Sequence, residues 1–108
     1  MAAVQLVKKK DGAREFSLGQ VVFSKSGRDR GLPFVIMRME SGYVWLADGR
    51  TRRVDKPKMK KYMHVQPVKV VADEIRVKIT ERCIVTDAEL RAVLDTFLAD
   101  KLSKSSEE

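Results

Sequence analysis

The sequence has few of the residues that build metal centres, disulfides and nucleophilic active sites. Its 108 residues include one cysteine, Cys83, and one histidine, His64. A single cysteine excludes an intrachain disulfide and a cysteine-based zinc site, and it is typical of a reducing compartment. One histidine by itself supplies neither a catalytic triad nor a metal site. We therefore predict a protein that is not an enzyme and uses no metal, cofactor or small-molecule substrate, with Cys83 as a small buried apolar residue.

Long apolar runs are also missing. No window approaches the roughly 18 apolar residues of a membrane span. The lysines at positions 8–10 follow a short apolar run, which reverses the order found in a secretory signal. We expect a cytoplasmic protein.

Acidic residues are outnumbered by basic ones. The chain has 22 Lys and Arg against 15 Asp and Glu, a formal net charge of +7. This surplus favours an acidic partner, with nucleic acid first, an anionic membrane surface second and a merely solvated basic surface as the third interpretation. Charge alone does not separate RNA from DNA, because both present the same phosphates.

The rest of the chain is organised around a predicted β-hairpin at residues 18–36. In the first arm Val21 and Phe23 alternate with residues 20, 22 and 24, and Phe34 and Ile36 continue this period-2 pattern in the second arm, as in half-buried strands. The connecting loop, residues 27–31, reads Gly-Arg-Asp-Arg-Gly. Its glycines permit the positive φ angles of a tight connection, and its arginines are expected at an exposed tip. The loop is too short for a phosphate-binding P-loop, but a basic tip on a rigid hairpin suits a polyanion.

This hairpin resembles the KOW motif of several ribosomal proteins and transcription elongation factors. The matching positions are Gly19, Val21, Val22, Gly27, Asp29, Gly31 and Val35. Pro33 departs from the usual pattern, and its missing N–H places it at a strand start or edge.

Downstream residues extend the resemblance. Residues 43–49, Arg53, and the segments 56–58 and 60–65 are similar to small bacterial KOW-domain RNA-binding proteins related to the large-subunit ribosomal protein family fourteen-e. Together the resemblances cover roughly residues 17–100. They imply a small SH3-like antiparallel β-barrel that binds RNA, usually in or near the ribosome.

The pattern of strands and turns predicts a mainly β barrel with a helical C-terminal part. We expect a flexible basic arm at residues 1–16, a barrel at 17–67, a helical extension at 68–102 and a disordered tail at 103–108. The predicted strands cover residues 17–26, 32–40, 43–47, 50–54 and 64–67. Short strands separated by frequent turns favour an antiparallel arrangement.

Residues 68–82 fit either a strand or a helix by their apolar spacing, and the resemblance favours a helix. The next helix is better marked. Thr86 and Glu89 form a capping-box pattern, which predicts a helix over residues 87–101. Its expected apolar face consists of Leu90, Val93, Leu94, Phe97 and Leu98.

A second basic segment lies at residues 50–61, which hold seven basic residues and one acidic residue. Pro57 excludes a helix interior there, so these side chains are either solvated or paired with anions. Tyr62 adjoins this run and is a candidate for stacking on a base. The predicted RNA-contacting residues are Lys25, Arg28, Arg30, Arg50, Arg52, Arg53, Lys56, Lys58, Lys60, Lys61 and Tyr62.

The sequence as a whole predicts an RNA-binding protein. Its expected ligand is ribosomal RNA, bound as a ribosome component or an associated factor, with ribosomal proteins as further partners and no membrane partner. The alternative is a protein-interaction module that docks on a ribosomal or transcription partner through the barrel and the C-terminal helix.

Overall fold

A computed structural model describes residues 6–8 and 16–106, with side chains at 6–7 and 16–102. The elements are β1 (Leu6–Lys8), β2 (Gln20–Ser24), β3 (Pro33–Glu40), β4 (Tyr43–Ala47), β5 (Lys58–Lys61), a 3-10 turn (Tyr62–His64), β6 (Val65–Ala72), α1 (Asp73–Thr80) and α2 (Asp87–Ser106). The prediction of a mainly β protein with a helical C-terminal part is confirmed.

The strands form one antiparallel sheet in the order β1-β6-β2-β3-β4-β5. Strands β2 to β5 follow one another as a meander, and β6 then returns to pair with β2. The expected closed barrel is not found, since the edge strands β1 and β5 do not pair with each other in the described residues. Register shifts between Gln20 and Val22 and between Ile36 and Arg38 interrupt the ladders, and such bulges bend a sheet.

Both faces of the central strands are buried. One face packs within the curve of the sheet around Phe34, Ile36 and Leu46. The opposite face packs against the two helices, where Val21 and Val35 meet a helical apolar surface. Adjacent residues Val21 and Val22 are both fully buried, so β2 lies between two apolar layers.

Helix α2 begins with the predicted capping box. The backbone N–H of Glu89 donates to Thr86 Oγ1 at 3.2 Å, and the N–H of Thr86 donates to the Glu89 carboxylate at 3.1 Å. The carboxylate also accepts from Lys78 of α1, which ties the two helices together. The expected apolar face is buried at Leu90, Val93, Leu94 and Phe97, whereas Leu98 stays 37% exposed.

Several predicted boundaries are wrong. Residues 50–54 form a loop rather than a strand, and the strand lies instead at β5. The ambiguous stretch at 68–82 contains both alternatives, because β6 continues to Ala72 and α1 follows directly. Part of the predicted flexible arm is ordered as well, since β1 pairs with β6 through Val7 and Val71.

The C-terminal part differs from the prediction at two points. Cys83 is exposed rather than buried. It lies in the turn after α1, where Arg82 has a left-handed φ of 59°. Helix α2 continues to Ser106, past the predicted end at Lys101, so residues 103–106 of the predicted disordered tail are helical. The rest of the predicted arm, residues 1–5 and 9–15, and the last two positions of the predicted tail lie outside the described residues.

Candidate nucleic-acid interface

The connection between β2 and β3, residues 25–32, is called the tip here. Its backbone is closed by hydrogen bonds from Gly31 N to Ser24 O at 2.8 Å and from Leu32 N to Asp29 O at 2.9 Å. Gly27 and Gly31 have φ angles of 81° and 86°, in the left-handed region that glycine adopts most readily. The predicted glycine-bounded loop is confirmed in this respect.

Asp29 organises the tip from inside. It is 8% exposed, and its carboxylate accepts hydrogen bonds from Ser24 Oγ at 2.6 Å, Lys60 Nζ at 2.8 Å and Lys58 Nζ at 3.3 Å. Burial raises the pKa of this carboxyl, but the hydrogen bonds from Lys60, Ser24 and Lys58 outweigh that effect, and the pKa falls to about 2. The carboxylate is therefore charged across the neutral range.

Lys60 is the main partner of Asp29 and is itself 7% exposed. Its ammonium group also donates to Ser24 Oγ and to Ser26 O, each at 2.7 Å. An ammonium group has three protons, and these contacts use all of them. Lys60 extends from the edge strand β5 to the end of β2. Its side chain thus connects two strands that are not hydrogen-bonded neighbours in the sheet.

The lysines of β5 do not all face solvent. Lys58 and Lys60 lie on the inner face of β5, opposite Leu46 and Val44, whereas Met59 and Lys61 lie on the outer face. Lys60 was predicted to contact phosphate, but it is buried and fully hydrogen-bonded. Lys58 is half-buried and paired with Asp29.

The second basic loop, residues 48–56, is also built around a buried aspartate. Asp48 is 7% exposed and accepts from the backbone N–H groups of Arg50 at 2.9 Å and Arg52 at 2.8 Å. It also accepts from Thr51 Oγ1 at 2.7 Å. These bonds fold residues 50–52 into a tight turn, which explains why they form no strand.

Helix α2 holds the outer side of the 48–56 loop. Arg50 forms an ion pair with Asp95 at 3.2 Å, and Arg53 pairs with Asp87 at 3.1 Å. The backbone N–H of Val54 donates to the Asp87 carboxylate at 2.8 Å, and this bond lowers the pKa of the Asp87 carboxyl. Two of the predicted RNA-contacting arginines thus have carboxylate partners within the protein.

The remaining predicted cations are exposed and make no side-chain hydrogen bond or ion pair within the described part of the chain. They are Lys25, Arg28, Arg30, Arg52, Lys56 and Lys61. Three of them belong to the tip. Since Asp29 is occupied by lysines from β5, the tip arginines have no carboxylate of their own loop to bind.

A groove of about 600 Å³ opens beside the tip and is called the tip groove. It is lined by Phe16, Lys25, Met39, Tyr62, Met63, Val65, Gln66 and Pro67. The rings of Phe16 and Tyr62 pack with their centroids 4.6 Å apart. Met63 is 69% exposed, and no carboxylate is among the lining residues. The tip and the groove share Lys25, whose backbone N–H donates to His64 O at 2.9 Å.

Sequence reasoning selected Tyr62 and Lys25 but missed the other groove residues. Met63, Val65, Gln66 and Pro67 follow Tyr62 closely in the sequence, whereas Phe16 and Met39 come from the segment before β2 and from β3. No local pattern connects those two residues to Tyr62. It also left out Arg38, whose guanidinium lies 4.7 Å above the Trp45 ring on the outer face of the sheet. Arg38 and Trp45 are opposite each other in the pairing of β3 with β4. That pairing follows a bulge in β3, which the sequence did not indicate.

Within the described residues, no group of three or more His, Cys, Asp or Glu side chains is placed to hold a metal ion. The described helices include none long and apolar enough to cross a membrane. A scan against protein-family models finds no matching family, and a search of curated proteins finds no similar sequence.

Proposed function

We propose that this protein binds RNA, with ribosomal RNA as its ligand, and that the tip provides the principal phosphate contacts. One observation carries the proposal: Asp29 and Lys60 fix the tip from inside, while Arg28 and Arg30 on either side of Asp29 remain exposed and unpaired. Because the loop backbone is already fixed, phosphate binding has to order only the two arginine side chains. Arg side chains also match phosphate geometry with two parallel hydrogen bonds.

Strand connectivity supports the finer proposal of an SH3-like fold of the KOW type. Four consecutive strands form a meander, a single 3-10 turn follows β5, and β6 returns beside β2. The glycines and the aspartate that carry the KOW resemblance all lie at or beside β2 and the tip. The proposed role is binding without a chemical step, in the cytoplasm, where an exposed free Cys83 suits a reducing environment.

A protein-interaction role remains the second candidate because of one feature of α2. Leu98 and Leu102 are 37% and 72% exposed and are spaced four residues apart on the helix. In this alternative, the helix would dock on a ribosomal or transcription protein through these leucines. Such apolar docking depends weakly on salt.

Salt dependence is the first test of the RNA proposal. About five phosphate contacts by the exposed cations would give a slope near −0.7 per contact on single-stranded RNA, and affinity would fall roughly 100-fold between about 50 and about 200 mM salt. Fluorescence anisotropy with a labelled RNA measures this directly. An affinity that stays flat over that range would overturn the electrostatic proposal and favour the docking alternative.

A charge-matched pair of variants localises the contacts. Arg28→Gln/Arg30→Gln and Arg82→Glu change the net charge equally, but Arg82 lies beyond α1, which packs near Gly19 at the opposite end of β2 from the tip. We expect the tip variant to bind RNA at least about tenfold more weakly and the Arg82 variant to stay near wild type. Equal losses would show that only overall charge matters.

A further inference from the structure

We infer that the tip groove holds an unpaired nucleotide of the RNA, with its base against Tyr62 and an adjacent phosphate on Lys25. This inference rests on the proposed RNA-binding function and specifies its substrate class as single-stranded RNA or an unpaired loop. It gives a function to the aromatic surface of Phe16 and Tyr62, which phosphate contacts at the tip do not use.

The position of the groove is the first argument. Lys25 forms part of the groove wall and is also the first residue of the tip. A strand whose phosphates lie along Arg28 and Arg30 can therefore continue past Lys25 to the groove mouth. Consecutive phosphates and bases are covalently linked, so a base beside the tip has this groove within reach.

The composition of the groove is the second argument. Aromatic rings accept any nucleobase because every base has a π-face, and Tyr62 is only half-buried. Met63 is 69% exposed beside it, which leaves apolar surface that a base would cover. The Gln66 side chain is exposed and carries an amide that can donate to and accept from a base edge. The groove volume of about 600 Å³ falls within the range of small-ligand sites.

Charge complementarity favours RNA over a peptide. The lining residues include one cation and no carboxylate, and the neighbouring tip adds two unpaired arginines. A second groove of about 600 Å³ lies between β6 and the end of α2, and it differs in this respect because Asp100 and Lys101 both line it. An acidic ligand with flat apolar rings therefore fits the tip groove better.

The decisive experiment compares two RNAs with equal numbers of phosphates, an oligouridine and a blunt-ended duplex. Tyr62→Leu keeps an apolar side chain against Phe16 but removes the stacking surface. We expect it to weaken oligouridine binding about tenfold and to leave duplex binding unchanged. Tyr43→Leu is the matched control, because this half-buried tyrosine lies on β4 and does not line the groove. It should alter neither affinity.

Photo-crosslinking supplies a readout that does not depend on the folding of a variant. Wild-type protein is irradiated with an oligouridine that contains 4-thiouridine, and the linked peptides are identified by mass spectrometry. Links at Phe16, Tyr62 or Met63 would support the inference. Links confined to the outer face around Trp45 would overturn it.

The outcomes separate this inference from the function on which it rests. If wild-type protein binds neither RNA, the proposed function fails. If it binds both and Tyr62→Leu leaves both affinities unchanged or lowers them equally, the phosphate contacts stand and the nucleotide site is wrong. In that case an apolar peptide segment would be the alternative ligand of the tip groove.

Discussion

The tip and the 48–56 loop are two basic loops built on the same plan, and they differ in what their cations do. Each surrounds a buried aspartate, Asp29 in one and Asp48 in the other. Asp29 is satisfied by lysines from a distant strand, which leaves the arginines of its own loop exposed. Asp48 is satisfied by backbone N–H groups, while Arg50 and Arg53 turn to carboxylates of α2.

The comparison shows that local positive charge does not measure the charge available to a ligand. Residues 50–61 contain most of the excess positive charge in the sequence, yet part of it fixes α2 and part of it supports the tip. A phosphate that approached Arg50 or Arg53 would compete with a carboxylate already in place. The smaller basic segment thus offers the better-prepared binding surface.

The sharpest test of the comparison is the same substitution at both aspartates. Asp29→Asn leaves the buried ammonium of Lys60 without its counter-charge, and we expect a loss of about 3 to 5 kcal/mol in the free energy of unfolding. Asp48→Asn keeps an oxygen that accepts from the backbone N–H groups and should cost only about 1 kcal/mol. Urea denaturation of both variants measures the difference. Equal losses would mean that the ion pair has no special weight.

Two glycines provide the next test. Gly49 has a φ of 77°, and an added Cβ would overlap the backbone oxygen of Asp87, so Gly49→Ala should cost roughly 2 to 4 kcal/mol. Gly31 has a φ of 86° with open space around it, so Gly31→Ala should cost only about 1 to 2 kcal/mol. Thermal unfolding of the two variants tests this order. The reverse order would show that α2 is not held tightly against the 48–56 loop.

Acid titration tests the ion pair without a change in shape. The pKa of Asp29 is lowered from 3.8 to about 2, so its contribution to stability is complete above about pH 4 and is lost as the pH falls towards 2. The contribution is about 2 kcal/mol, and Asp29→Asn should lack it. Unfolding measured by urea at several pH values supplies the comparison. An unchanged acid profile in the variant would rule out this assignment.

The smallest expected effect concerns RNA affinity. Arg28→Gln/Arg30→Gln should weaken binding by about tenfold and reduce its salt dependence. Arg50→Gln/Arg53→Gln removes the same charge but should act mainly on stability, because both arginines pair with α2. Binding and thermal unfolding of the two double variants can be measured side by side. A larger affinity loss in the Arg50 and Arg53 variant would reverse the proposed roles of the loops.

The parts of the fold that were predictable from sequence depend on short-range chemistry. The hairpin follows from alternation around two glycines, and the start of α2 follows from Thr86 and Glu89, which contact each other across three positions. In each case all the residues that determine the structure lie within a short stretch of sequence. The prediction of Leu90 and Leu94 as buried residues succeeded for the same reason, since helical spacing is local.

The wrong predictions depend on partners far along the chain. Nothing near Lys60 indicates that its ammonium group will reach Asp29, because the usual expectation is that a lysine in a strand faces solvent. The strand expected at residues 50–54 failed because Asp48 and Asp87 bind the backbone N–H groups of that segment. Alternation also misleads in β5, where the lysines lie inside and Met59 lies outside.

The bond between Lys60 and Asp29 also predicts an order of events during folding. It joins residues 31 positions apart, whereas the β2–β3 hairpin itself closes through neighbouring segments. Contacts between distant positions form later than local ones, because a longer loop must first be closed. The hairpin can therefore pair before β5 reaches it, with an incomplete tip. The loop that carries Arg28 and Arg30 is closed from inside only when β5 docks, so we expect the surface proposed for RNA to form late in folding.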